Sequence, residues 1–221
     1  MKKDIVVGIF AHPDDETFGP GGTLAVFSKT RDIYLICVTN GDGKQEDRYK
    51  EKQLGKIRKK ELLNSAKILG VKKVFFLGYR DGSLQHNLYH EIAKQITTIL
   101  QKLQPKILIT FEPRGVSGHI DHIVISMITS FIFPNIPSAK KLMKYCVSDE
   151  RSQAMGDGYF IHFPLGYTND EIDEIVDVSA VWETKVIAMH HHISQMHDVK
   201  RILERGKNLP KQETFLVVEK T

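Results

Sequence analysis

Along this chain, short apolar runs alternate with longer stretches in which apolar residues recur every three or four positions. The runs at 5–10 (IVVGIF), 33–38 (IYLICV), 74–77 (VFFL) and 107–110 (ILIT) are rich in β-branched residues and uninterrupted by charge. Runs of that kind predict strands buried on both faces, as in a parallel sheet covered by helices. Between them, 22–29 reads as the first substantial helix. Leu54, Ile57, Leu62, Ser65, Ala66 and Leu69 then form a stripe near 3.6 spacing, and Gly70 supplies a stop. Residues 88–103, closed by Pro105, and 123–133, closed by Pro134, give two more helices. Beyond Ile136 the alternation loosens. Strands are expected at 144–148 and 160–163, divided by a loop holding Gly156 and Gly158, then a helix at 181–196 and a last strand at 214–219. The fold class is α/β, a mostly parallel sheet with helices on its faces. With no repeat, low-complexity tract or Pro/Gly/Ser linker, one domain spans 1–221.

Composition narrows the function classes. The 221 residues are 41% hydrophobic and 26% charged, ordinary for a globular protein and unlike a disordered one. The net charge of +4 is weak for a nucleic-acid binder. Residues 44–73 hold eleven Lys/Arg against four acids, which reads first as the solvated face of an amphipathic helix. Cys37 and Cys146 lie far apart in apolar runs, forming neither a CxxC pair nor a disulfide framework. They are expected to be reduced core thiols of a cytoplasmic protein. No stretch approaches the roughly 18 apolar residues of a membrane span. Met1-Lys2-Lys3 before an apolar run imitates a signal peptide, but Asp4 interrupts it and charged residues follow where cleavage would occur.

The chemistry concentrates at two places. His12-Pro13-Asp14-Asp15-Glu16 follows the first strand, at the strand-end edge where open parallel sheets bind ligands. Three adjacent acids beside a histidine repel one another, and a buried version needs a cation to keep them ionised. Pro13 suits the first position of a helical turn, which sets His12 and Asp15 on one side. Imidazole nitrogen with carboxylate oxygen suits Zn²⁺, although acids also favour any helix start. Gly118-His119-Ile120-Asp121-His122 follows the 107–110 strand and reaches the same edge. A catalytic zinc takes three protein ligands and keeps one open position. His12, Asp15 and either His119 or His122 would complete that number.

These two motifs resemble the LmbE/PIG-L zinc-dependent deacetylases, which have a Rossmann-like single domain and remove acetyl groups from N-acetylglucosamine-containing substrates. The resemblance extends through Gly21-Gly22-Thr23-Leu24-Ala25, the helix from Arg58 to Gly70, Gly78-Tyr79-Arg80-Asp81-Gly82, Lys185-Val186-Ile187-Ala188 and His192-Ile193-Ser194-Gln195. It implies that His12, Asp15 and His122 bind Zn²⁺ (or another divalent metal) and that Asp14 is the general base. It further implies that His119 faces the developing oxyanion, that Asp121 holds His119, and that Arg58 and Asp81 touch the sugar, with His192 near the site. The departure is Ile120, where the family commonly has proline. An amide is a poor electrophile and water a poor nucleophile. Zinc answers both, lowering the pKa of bound water from roughly 15.7 to about 7 and polarising the carbonyl. As an imidazolium, His119 would need a raised pKa, and Asp121 would shift it in that direction.

Other features read more plainly. His190-His191-His192 cannot share one ion, because consecutive helical side chains diverge. His86, His90, His162 and His197 are expected at the surface or satisfied inside. Gly19-Pro20-Gly21-Gly22 lacks the spacing of a phosphate loop. Gly41-Asp42-Gly43 is a turn at the rim of the site, and Trp182 and Tyr159 read as core before sugar platforms. Ser117 has no G-x-S-x-G elbow around it. The expected function is therefore hydrolysis of an N-acetyl group from a small GlcNAc glycoside or conjugate. The rivals are an amidase acting on another acylated amino-sugar conjugate and a non-catalytic sugar- or nucleotide-binding module. Loops at 41–48 and 149–158 would set specificity. The partner is a small amino sugar rather than nucleic acid or membrane, and a homo-oligomer is left open.

Overall fold

Each apolar run becomes a strand whose side chains point alternately into two hydrophobic layers. The computed structural model describes residues 3–43, 51–155 and 163–220. The strands are β1 (Ile5–Phe10), β2 (Asp32–Thr39), β3 (Val71–Tyr79), β4 (Ile107–Phe111), β5 (Lys141–Cys146), β6 (Glu174–Asp177) and β7 (Gln212–Glu219). They form one sheet in the order β3-β2-β1-β4-β5-β7-β6. The first five are parallel, while β7 runs antiparallel to both β5 and β6. The helices are α1 (Asp15–Phe18), α2 (Gly21–Ser28), α3 (Glu51–Ile68), α4 (Tyr89–Leu103), α5 (Gly115–Gly118), α6 (Ile120–Ile132), α7 (Asp149–Met155), α8 (Trp182–His190) and α9 (Met196–Arg205).

Val6, Phe10, Ile33 and Leu35 face one layer with Leu24 of α2, Leu62 and Ala66 of α3 and Ala188 of α8. Val7, Ile9, Ile36 and Leu108 face the other with Ile92, Ile96 and Leu100 of α4 and Ile125 and Ile128 of α6. This burial on both sides is why these strands carry no polar alternation. From β1 the chain builds outward to β2 and β3, then returns to place β4 on the opposite side of β1. The gap between β1 and β4 is thus the topological switch point, where α/β sheets open a crevice at the carboxyl ends of their strands. No helix among the described residues is long and apolar enough to cross a membrane.

The N-terminus of α2 shows how the late strands lock onto the early fold. Glu213 of β7 accepts the N–H groups of Gly22 at 2.8 Å and Thr23 at 2.6 Å, so the glycine-rich turn holds a carboxylate of the chain itself. A Cβ on Gly22 would lie 2.6 Å from Val178 Cβ and 2.9 Å from Glu213 Oε1, which is why only glycine admits this approach. Lys185 completes the arrangement, its Nζ 2.6 Å from Glu213 and 2.7 Å from the Gly19 carbonyl. All of it is buried. Glu213→Leu strands a buried ammonium and two amides, and breaking such a pair costs on the order of 3–5 kcal/mol. At roughly 2–4 °C per kcal/mol, calorimetry should show Tm falling by about 10 °C. An unchanged Tm would contradict this reading.

Differences from the sequence expectations lie in the C-terminal third. The strand expected at 144–148 is β5, starting at Lys141, because Leu142 and Met143 are as buried as Tyr145 and Cys146. The loop with Gly156 and Gly158, and most of the strand expected at 160–163, lie outside the described residues; Phe163 is not in a strand. The helix expected at 181–196 breaks after His190, and α9 begins at Met196. The cause is Glu61 of α3. Its carboxylate accepts the N–H of Ser194 at 2.8 Å and its hydroxyl at 2.6 Å, offering backbone partners outside a helix. Gly70 takes φ +79 and ends α3 as expected. Lys56, Lys59, Lys60 and Lys67 of the basic run face solvent, while Arg58 turns inward.

Candidate active site

A cleft of about 380 Å³ opens at the switch point. The turn after β1 supplies His12, Asp14 and Asp15. The segment after β4 supplies Val116, Ser117, His119 and His122, and Arg58 and Asp81 close one wall. Tyr145 and Val147 at the end of β5, with Arg151 of α7 and Arg201 of α9, form the outer part. The two motifs thus meet although more than a hundred residues separate them, because β1 and β4 are neighbours.

At the floor, His12 Nδ1 lies 3.0 Å from His122 Nε2 and 3.6 Å from Asp15 Oδ2, and His122 Nε2 lies 3.1 Å from Asp15 Oδ1. The partners behind the rings settle which nitrogens carry protons. His122 Nδ1 faces the Gly115 carbonyl at 3.0 Å, and His12 Nε2 faces Asp81 at 2.9 Å and Asp121 at 3.2 Å. Those oxygens only accept, so each ring donates outward; in the neutral form that a cation binds, each ring leaves its inner nitrogen's lone pair facing the other, with Asp15 beside both. A cation fits this donor set. A tetrahedral ion with arms of about 2.0–2.1 Å has ligand atoms about 3.3 Å apart, close to the separations here. Burial works against a charge on Asp15, yet His122 and His12 outweigh it and hold the carboxyl well below its usual range.

Asp14 sits beside this cluster in an unusual backbone state, φ 130 and ψ −28. A non-glycine residue there costs on the order of 1–3 kcal/mol and persists only where its surroundings enforce it. Arg58 donates to Asp14 Oδ2 at 2.6 Å and to the Pro13 and Gly41 carbonyls at 2.8 and 2.9 Å. Burial pushes the Asp14 carboxyl up to about 7, against the pull of Arg58 and with the push of Asp15. A carboxyl at that value serves as a base in neutral water. Val116, the other strained cleft residue, has φ 62 and ψ −59. Glu112 at the end of β4 pins it, accepting the N–H groups of Val116 and Arg114, both at 2.6 Å, and the Tyr167 hydroxyl at 2.7 Å.

Three expectations need correction. Asp121 does not hold His119 with its carboxylate. That group accepts the N–H of Gly82 at 2.8 Å and of Leu84 at 3.1 Å and faces His12. His119 is instead the N-cap of α6, and its Nδ1 accepts the Asp121 backbone N–H at 3.1 Å. Its imidazole is also not raised: burial, then His12 and His122, pull it down to about 4. The neutral ring that results keeps its proton on Nε2, because Nδ1 is accepting. Finally, His192 does not line the cleft. Fully buried, it contacts Glu16 Oε1 through Nε2 at 2.8 Å.

Smaller expectations resolve simply. Arg58 and Asp81 reach the cleft wall, and burial of Asp81 is outweighed by His12 and Arg58, holding its carboxyl down at about 2. Ile120 occupies the first position of α6 and is 66% exposed, so the residue that replaces proline disturbs no packing. Gly41 and Asp42, expected as a rim turn, form no turn and do not line the cleft, but they brace its wall: Asp42 Oδ1 accepts the Asp81 N–H at 3.0 Å and the Gly41 carbonyl accepts from Arg58. Trp182 packs beside the core, with Lys211 Nζ 4.3 Å from its ring centre, and does not line the cleft. Tyr159 and His162 lie outside the described residues. His86 and His90 are exposed, and His197 is exposed at the cleft rim. Reading the sequence missed the roles of Glu112 and Glu213, acids without a metal-type neighbour pattern, and gave Glu16 no role of its own within its motif.

Comparison with known proteins agrees with the fold. A diacetylchitobiose deacetylase of Thermococcus kodakarensis is 31% identical over 196 residues, covering 86% of this chain and 69% of the relative. A 1D-myo-inositol 2-acetamido-2-deoxy-alpha-D-glucopyranoside deacetylase of a Mycobacterium species is 28% identical, covering 85% of this chain and 73% of its own length. The solved structure of N,N'-diacetylchitobiose deacetylase from Pyrococcus horikoshii, complexed with its inhibitor MPG, superposes with a TM-score of 0.73. Its identity is 26%, covering 98% of this chain and 84% of that one. Residues 7–133, more than half of the chain and inclusive of both motifs, match the family PIG-L, GlcNAc-PI de-N-acetylase. The chain belongs to the PIG-L family.

Proposed function

We propose that this protein hydrolyses the N-acetyl group of a GlcNAc-containing small glycoside or conjugate, using one divalent cation, zinc, held by His12, Asp15 and His122. The observation that carries this reading is the convergence of two imidazole lone pairs and a carboxylate beside a buried, strained aspartate. A cation bound there supplies Lewis acidity, which acidifies water and polarises the acetyl carbonyl. Asp14 takes the proton of the attacking water; Arg58 engages its Oδ2, so Oδ1 receives it. The water oxygen bonds to the carbonyl carbon, the C–N bond breaks, and Asp14 returns the proton to the leaving amine. His119 donates its Nε2–H to the oxyanion that develops, a role that needs no positive charge on the ring. Arg58 and Asp81 face the sugar from the wall. Among substrates of relatives, an inositol glycoside and a chitobiose both present such a GlcNAc unit.

Asp121 acts through His12. Asp121→Asn should lower metal affinity by roughly 10–100-fold, the usual cost of losing an outer partner of a ligating histidine. Competition with a chromophoric chelator measures it, and an unchanged affinity would remove Asp121 from this role. The reading as a whole is tested by acetate release from GlcNAc glycosides with metal-replete enzyme. Release of acetate that stops on chelation is expected. Tight nucleotide binding without metal uptake would favour a binding module instead, although Glu213 already fills the helix start a phosphate would use. Cys37 and Cys146, both buried thiols, support placement in the reducing cytoplasm.

A further inference from the structure

Asp14 is the base in the reading above, and its backbone lies where aspartate does not settle unaided. Its carboxylate is held by Arg58 at 2.6 Å and its carbonyl accepts the Thr17 hydroxyl at 2.9 Å. Its N–H, on the bond about which φ is unusual, donates to Glu16 Oε2 at 3.0 Å. Glu16 is 1% exposed and does not line the cleft, so it meets neither substrate nor the proposed cation. Its other oxygen, Oε1, is gripped from two directions, by the hydroxyl of Ser65 on α3 and by His192 Nε2 at 2.8 Å from beyond α8.

His192 is informative because its own arrangement is incomplete. A carboxylate only accepts, so the ring proton lies on Nε2, leaving Nδ1 buried with no partner. An orphaned buried nitrogen is unfavourable, and the ring's one polar contact in the described structure is to Glu16. Phe18 sets its orientation, packing edge-on with ring centres 6.1 Å apart. Residues from two separated parts of the chain thus converge on one carboxylate, and that carboxylate meets the amide of the strained base.

We infer that Glu16, clamped by Ser65 and His192, is a positioning residue that holds Asp14 in its strained conformation and so sets the direction of the base. The role presupposes the deacetylase reading for its kinetic consequence but not for its structural one. A misplacement of about 1 Å at a reacting group costs on the order of 10²-fold in rate. Glu16→Ala in the full-length, metal-replete enzyme should therefore lower kcat by about 100-fold, with KM within about threefold and metal content unchanged. Glu16→Gln keeps an acceptor for the Asp14 N–H and can donate to Ser65 and to His192 after the ring's proton moves to Nδ1. It should restore kcat to within about fivefold of the parent while melting at a lower temperature, because that proton is then buried without an acceptor. A merely structural role would lower Tm in both variants and leave kcat per folded enzyme alone.

Crystal structures of the parent and Glu16→Ala provide the readout that does not depend on activity. Asp14 is expected to leave the positive-φ region and its carboxylate to part from Arg58. Asp14 unmoved in that variant, or kcat within about threefold of the parent, would overturn the inference. Absence of acetate release from the parent would overturn the deacetylase reading alone, leaving the structural comparison to decide the positioning role. Should Glu16→Ala not fold, Ser65→Ala removes one grip with a smaller change. A drop in kcat of about fivefold or more at constant KM supports the clamp, and an unchanged kcat contradicts it.

Discussion

Replacing Asp14 with asparagine should leave the cation in place and lower kcat by about 10²–10⁴-fold, the range expected when a positioned general base is lost. The substitution is nearly isosteric. An amide oxygen can still accept from Arg58, and the backbone contacts of Asp14 to Glu16 and Thr17 do not involve the carboxylate. His12 and Asp15, on either side in sequence, therefore keep their positions, and zinc analysis should show roughly one equivalent per chain. What disappears is an anionic oxygen able to take a proton. The variant should also melt lower, because the buried Arg58 guanidinium loses the anion it meets at 2.6 Å, leaving Asp81 at 3.6 Å. An Asp14→Asn enzyme with near-parental turnover would exclude Asp14 as the base.

His122→Ala should lose both metal and activity. His122 Nε2 lies 3.0 Å from His12 Nδ1 and 3.1 Å from Asp15, so its removal takes one of three converging donors. The loss of affinity should exceed the roughly 10–100-fold that an outer partner is worth. After dialysis the zinc content should fall from about one equivalent to a small fraction, and acetate release should fall with it. His119→Ala supplies the contrast. His119 stacks on His122 with ring centres 5.0 Å apart, but its Nδ1 is committed to the Asp121 backbone N–H. That variant should keep its metal and lose about 10²–10³-fold in kcat, the scale of removing one oxyanion donor. Stoichiometric zinc in His122→Ala, or zinc lost only from His119→Ala, would exchange the two assignments.

The strands of the parallel half can be read from sequence because burial on both faces leaves uninterrupted apolar runs, as in 5–10 and 107–110. β6 gives no such signal: it is four residues long at the sheet edge, and none of its residues is fully buried. The break after His190 is invisible locally because the group that causes it, Glu61, belongs to another helix. At the site, the ligand types and their neighbours are local and therefore readable: His12 with Asp15, His119 with His122. The contacts that orient them are not. Asp121 is 109 residues from His12, and His192 is 176 residues from Glu16. The family resemblance implied that Asp121 serves His119. The fold instead turns its carboxylate to His12, because the start of α6 presents only the Asp121 amide to its own cap.

The central claim is that segments following β1 and β4 grip one shared cation. Anomalous diffraction at the zinc edge, from crystals of the metal-replete protein, tests it directly. The expected result is a single strong peak about 2.0–2.2 Å from His12 Nδ1, His122 Nε2 and an Asp15 oxygen. A zinc-replete crystal with its peak elsewhere, or with His12 and His122 bound to different ions, would contradict the account.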